Sequence, residues 1–148
     1  MKSFMVSSTF LSLFLMSSGL QTHHLELRKI PCKTPKNAAS CYWTHGRLRI
    51  GNGTPAVRLW KIGTHRILGI YSGPSTYHPS AADPDHGDNE HPELPAEARL
   101  GLWAKGEEYS GGGTIFGDFE VCPLEPEKPG VMQAACIESA KNTIGGEQ

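Results

Sequence analysis

Residues 42–73 read YWTHGRLRIGNGTPAVRLWKIGTHRILGIYSG, and bulky side chains alternate with polar ones through most of the stretch. That period of two marks β-strands with one face turned to a core. Asn52-Gly53 is the dipeptide that best tolerates positive φ at both central positions of a type I′ turn, so it predicts a two-residue hairpin loop. With that loop, Leu48 lies opposite Val57, Arg47 opposite Arg58, Arg49 opposite Ala56 and His45 opposite Trp60. Opposed side chains share a face. Leu48, Ile50, Val57 and Leu59 then form the core side, and Arg47, Arg49, Arg58 and Trp60 form the outer side together with Trp43. A slip of one residue would exchange the two sets. A third strand is expected over residues 66–71, after a turn at Gly63-Thr64.

Further along, residues 75–95 (STYHPSAADPDHGDNEHPELP) have no hydrophobic period and read as a long irregular loop. It runs into LPAEARLGLW, where Leu94, Ala98 and Leu102 recur at helical spacing and Pro95 suits a first helical position, so one or two helical turns are predicted. TIFGDFEVCPL and GVMQAACIESA, separated by the proline-marked turn EPEKPG, read as a second strand pair. Short strands, frequent Gly and Pro and a single short helix give an all-β fold class: a small single-domain β-sandwich or open barrel with a long irregular loop, stapled by disulfides. The expected organisation is a signal peptide over residues 1–19, an extended N-terminal arm over 20–40, one β-rich domain over 41–144 and a frayed tail over 145–148.

The signal peptide is read from Lys2 followed by residues 4–16, which carry no charge and are dominated by Phe, Leu, Met and Ser. The run is short of the roughly 20 apolar residues that span a bilayer, and Ser17 and Gly19 suit a peptidase cutting after Gly19. A secreted or periplasmic protein with no membrane span after processing is expected. Four cysteines, Cys32, Cys41, Cys122 and Cys136, fit that compartment as two disulfides. Sequence leaves three pairings open. The local one, Cys32 with Cys41 and Cys122 with Cys136, closes the shortest loops at the least entropic cost and is the expectation. Zinc binding through these cysteines lacks any C-x-x-C pair.

The formal net charge of −1 conceals a segregation. Residues 28–66 hold nine of the 14 Lys and Arg and no Asp or Glu, whereas 14 of the 15 acids follow Arg66. An electrostatic partner or internal neutralisation would each explain this. If Arg47, Arg49 and Arg58 project together beside Trp43 and Trp60, the strip suits an anionic polysaccharide or an envelope protein, because guanidinium forks grip carboxylate or sulfate and an indole stacks on a sugar. Nucleic acid is not expected of an exported chain without a basic total.

The long loop offers His78, Asp83, Asp85, His86, Asp88 and His91 as metal ligands for calcium or zinc. It matches neither an EF-hand, which would need a glycine at Asp88 and a glutamate at Leu94, nor H-E-x-x-H. No cofactor is expected, and a solvated loop is the plainer reading. Asp118 and Glu120, two apart on one strand face, are the residue types that glycoside hydrolysis uses. The expected function is therefore an exported non-enzymatic binding or structural module. The alternative is a small metal-dependent or carboxylate-based hydrolase using residues 78–93 with Asp118 and Glu120. Asn52-Gly53-Thr54 also matches an N-glycosylation acceptor.

Overall fold

The computed structural model describes residues 28–79, 91–102 and 113–146. A short 3-10 turn at Ala38–Ser40 precedes β1 (Tyr42–Ile50), β2 (Val57–Lys61), β3 (Ile67–Ile70), α1 (Ala96–Leu102), β4 (Thr114–Pro123) and β5 (Gln133–Gly146). The strands follow the order β1-β2-β3-β5-β4 and close into a barrel, with β3 and β5 parallel and the other pairs antiparallel. The β-rich class therefore holds. β1 makes closure possible by pairing along one edge with β2 and along the other with β4.

Strand alternation builds the core. Leu48, Val57, Leu59, Leu68, Ile70, Ile115, Phe119, Val121 and Ile137 point inward and are buried. Each such side chain contributes roughly 1.5–3 kcal/mol through burial. Helix α1 forms where expected and packs Ala98 and Leu102, with the preceding Leu94, against β5, β4 and β1. Its Gly101 is held so close that a Cβ there would sit 2.6 Å from Ile115 Cγ2. β5 runs to Gly146, and Gly145 and Gly146 pair with Ile115 and Thr114 where a frayed tail was expected.

The hairpin departs from the expected register. Leu48 pairs with Leu59, Arg47 with Trp60, Arg49 with Arg58 and Ile50 with Val57, a shift of two residues. Among the described residues the one non-glycine with positive φ is Asn142, so Asn52-Gly53 does not form a type I′ turn. Residues 51–56 instead make a wider loop, closed by the Gly51 amide donating to the Ala56 carbonyl. The cause is Pro55, which is buried against the backbone of β3: a Cβ on Gly69 would lie 2.7 Å from Pro55 Cγ. A two-residue loop would leave Pro55 no room to reach that wall. Because the shift is even, every side chain keeps its face.

The disulfides also differ from the local pairing. Cys32 bonds Cys136 and Cys41 bonds Cys122, across sequence separations of 104 and 81. Strand pairing decides it. Tyr42 faces Val121, which sets the adjoining Cys41 beside Cys122 on neighbouring strands. Cys136, directly opposite Cys122 on β5, is left for Cys32 of the arm. The long loops make these bridges more stabilising than local ones, about 4–5 kcal/mol each on the chain-entropy account.

Polar contacts hold the arm as well. The Glu93 carboxylate accepts the amides of Lys29 and Ile30 at 2.8 and 2.6 Å. Arg28 donates to the carbonyls of Ile30, Ser72, Glu93 and Ile137. Among the described residues no helix is long and apolar enough to cross a membrane, and the expected signal peptide lies outside them.

Candidate functional site

Alternation along β1 and β2 sends Arg47, Arg49, Arg58 and Trp60 to the outer wall of the barrel. Arg49 and Arg58 are direct cross-strand partners, and one step along, Arg47 is the partner of Trp60. The Arg47 guanidinium lies 4.8 Å from the centroid of the Trp60 ring, a cation–π contact. Trp60 Nε1 donates to the Thr64 carbonyl at 2.7 Å, which fixes the ring at the β2–β3 turn. Arg58 donates through Nε to the Pro55 carbonyl at 3.1 Å and through Nη2 to the Asn52 carbonyl at 3.0 Å, so the wide loop orients it. These side chains, with His65, the half-exposed Ile67 and the loop residues Gly51 and Asn52, line an open groove of about 560 Å³. Volumes of 300–1,000 Å³ are typical of ligand sites.

No carboxylate holds any of the three arginines among the described residues. The ion pairs there are Lys33–Glu120, His45–Asp118 and Arg66–Glu127. Arg47 Nε is buried without a hydrogen-bond partner. Like charges directly opposed across a strand pair are destabilising, so the Arg49–Arg58 pair is kept at a cost to the fold.

Trp43 stands apart from the groove. It is the cross-strand partner of Glu120 on β4, 46% exposed, with Lys141 Nζ 4.1 Å from its ring. Asp118 and Glu120 do share an outer face, but each is already engaged. Asn142 Nδ2 donates to Asp118 at 2.8 Å and His45 Nδ1 lies 3.0 Å from it; together they hold its carboxyl below the usual range. Lys33 Nζ at 2.6 Å and Ser139 Oγ at 3.1 Å do the same for Glu120. Carboxylates lowered in this way suit ion pairs, whereas the proton donor of a glycosidase needs a raised pKa.

Of the proposed metal ligands, His78 and His91 are described, while Asp83, Asp85, His86 and Asp88 lie outside the described residues. Among the described residues no three His, Cys, Asp or Glu side chains are placed to hold an ion. His65 and Ile67 line the groove although neither belongs to the expected strip of arginines and tryptophans. Ile67 could have been found, since it pairs with Trp60 and so shares its outward face. No protein-family model, curated protein or solved structure matches the chain.

Proposed function

We propose that the chain is an exported, non-enzymatic binding module that holds an anionic polysaccharide on the outer face of β1, β2 and β3. One observation carries this reading: Arg47, Arg49 and Arg58 stand together beside Trp60 in an open groove, with no described carboxylate on any of them. A fold that keeps two opposed guanidinium groups without internal neutralisation does so for an external anion. Carboxylate or sulfate groups suit the guanidinium forks, and a sugar ring suits the Trp60 platform.

Connectivity supports the same face. A five-strand barrel ordered β1-β2-β3-β5-β4, with a helix between β3 and β4, has the Greek-key arrangement of OB-type barrels. Such barrels take oligonucleotides and oligosaccharides on strands 2 and 3 and the adjoining loops. Fold alone names no ligand. Two disulfides favour an oxidising compartment, and a formal net charge of −1 speaks against a nucleic-acid role.

The test is a glycan array read at low and raised salt with the natural chain and an Arg47→Gln/Arg49→Gln/Arg58→Gln variant. Salt-sensitive binding to acidic glycans that the triple variant loses supports the reading. Absence of acidic-glycan binding, or binding indifferent to the three substitutions, overturns it. A single-stranded oligonucleotide arm that outcompetes every glycan would replace the ligand class.

A further inference from the structure

The groove proposed to hold an anionic glycan takes in only the Arg47 and Arg49 end of the outward face of β1. Resting on that reading, we infer that the bound chain continues along β1 beyond the groove and lays an uncharged sugar ring on Trp43. The ligand is then a heteroglycan of acidic and neutral residues, longer than a disaccharide.

Trp43, His45, Arg47 and Arg49 occupy alternate positions of one strand and so share its outward face. At ~3.4 Å per residue the line from Trp43 to Arg49 measures up to ~20 Å, well beyond the reach of a disaccharide. Charge changes along it. Arg49 has Arg58 and Thr114 as cross-strand neighbours, and Arg47 has Trp60 and Phe116. His45 faces Asp118, and Trp43 faces Glu120. An acidic sugar suits the first end, whereas at the second Lys33 and Lys141 offset Glu120 and Asp118 and leave no surplus of positive charge to draw one.

The second end nevertheless has the makings of a neutral-sugar subsite. Trp43 is 46% exposed, and Lys141 Nζ sits over one face of its ring, 4.1 Å from the centroid, so a sugar would stack on the opposite face. Asp118 and Glu120 accept hydrogen bonds from Asn142 and Ser139 and stand beside the cations Lys141 and Lys33, which makes the surroundings polar with little net field. Ionised carboxylate oxygens have several lone-pair sites each, so these retain acceptor capacity for sugar hydroxyls beside the indole. An aromatic face rimmed by acceptors recognises a hydroxylated ring without asking for charge.

Calorimetric titration of the full chain separates the possibilities. The probes are a disaccharide and a hexasaccharide of alternating glucuronate and N-acetylglucosamine, and a hexamer of galacturonate in which every ring is charged. We expect the alternating hexasaccharide to bind tighter than both. Trp43→Ala should lower its affinity about tenfold, the scale of one aromatic contact, and leave the disaccharide unchanged. Trp43→Phe should keep most of the affinity. Melting curves of both variants check that the exposed substitution leaves the fold intact. If Trp43→Ala binds the hexasaccharide as the natural chain does, while the triple arginine variant does not bind, the extension along β1 is wrong and the groove reading stands. A preference for oligogalacturonate would likewise overturn the neutral subsite. Failure of all three probes to bind would count against the groove reading itself.

Discussion

Arg49 lies directly across the β1–β2 ladder from Arg58, two guanidinium groups on the outer wall with no described carboxylate between them. Their repulsion is a cost that a binding site tolerates and a purely structural surface would shed. Arg49→Gln should therefore stabilise the unliganded protein by on the order of 0.5 kcal/mol, a rise of about 2–4 °C in melting temperature, while weakening glycan binding. Thermal melts at low salt read the first effect. Raising the ionic strength should shrink the gain, because screening already relieves the natural chain.

The non-local disulfides give a second prediction. Cleaving the unreduced protein between its cysteines should release peptides joined as Cys32–Cys136 and Cys41–Cys122, never Cys32–Cys41. Replacing Cys41 and Cys122 together by alanine should cost about 2–5 kcal/mol in a urea titration. The second bridge, with the arm's hydrogen bonds, remains in place in that variant.

Glu93 is expected to matter more than an exposed loop acid should. Its carboxylate accepts two arm amides, and its own amide donates to Ser72 Oγ at 2.7 Å. Glu93→Ala leaves the two amides without their acceptor and should cost about 1–3 kcal/mol. Limited proteolysis should then cut the arm near Lys29 sooner than in the natural protein.

Asp118 and Glu120 carry an acid-side dependence. Both are depressed in the folded state, Asp118 first by Asn142 and then by His45, and Glu120 first by Lys33. A depressed carboxylate contributes stability above its unfolded pKa and loses it as pH falls through the folded one. Stability should thus decline below about pH 4, where carboxylates begin to protonate. The decline should be shallower in an Asp118→Asn/Glu120→Gln variant, as melting temperatures from pH 6 to 2.5 would report. Both groups lie at the surface, so the effect should be small and reduced by salt.

Much of the barrel was legible because alternation is local. The core set of Leu48, Val57 and Leu59 and the outer set of Arg47, Arg49, Arg58 and Trp60 survive a two-residue error in register, since only odd shifts exchange faces. What was not legible depends on contacts far apart in sequence. The Asn52-Gly53 signal is a property of two residues, and it lost to Pro55 packing on Gly69 of another strand. The cysteine pairs depend on β1 meeting β4 and β5 meeting β4, which loop-closure entropy does not foresee. Trp43 is another such case. It shares a face with the arginines as expected, yet its neighbours come from β4 and β5, so it belongs to a different part of the surface.

The most direct test of the account follows amide and side-chain resonances while an acidic oligosaccharide is titrated into isotope-labelled protein. A glycan seated in the groove should give saturable shifts at the Trp60 indole N–H, the Arg47 and Arg58 Nε–H groups and the amides of residues 47–52, fading as salt is raised. Shifts confined to other surfaces, or none at concentrations where the glycan is in large excess, would contradict it.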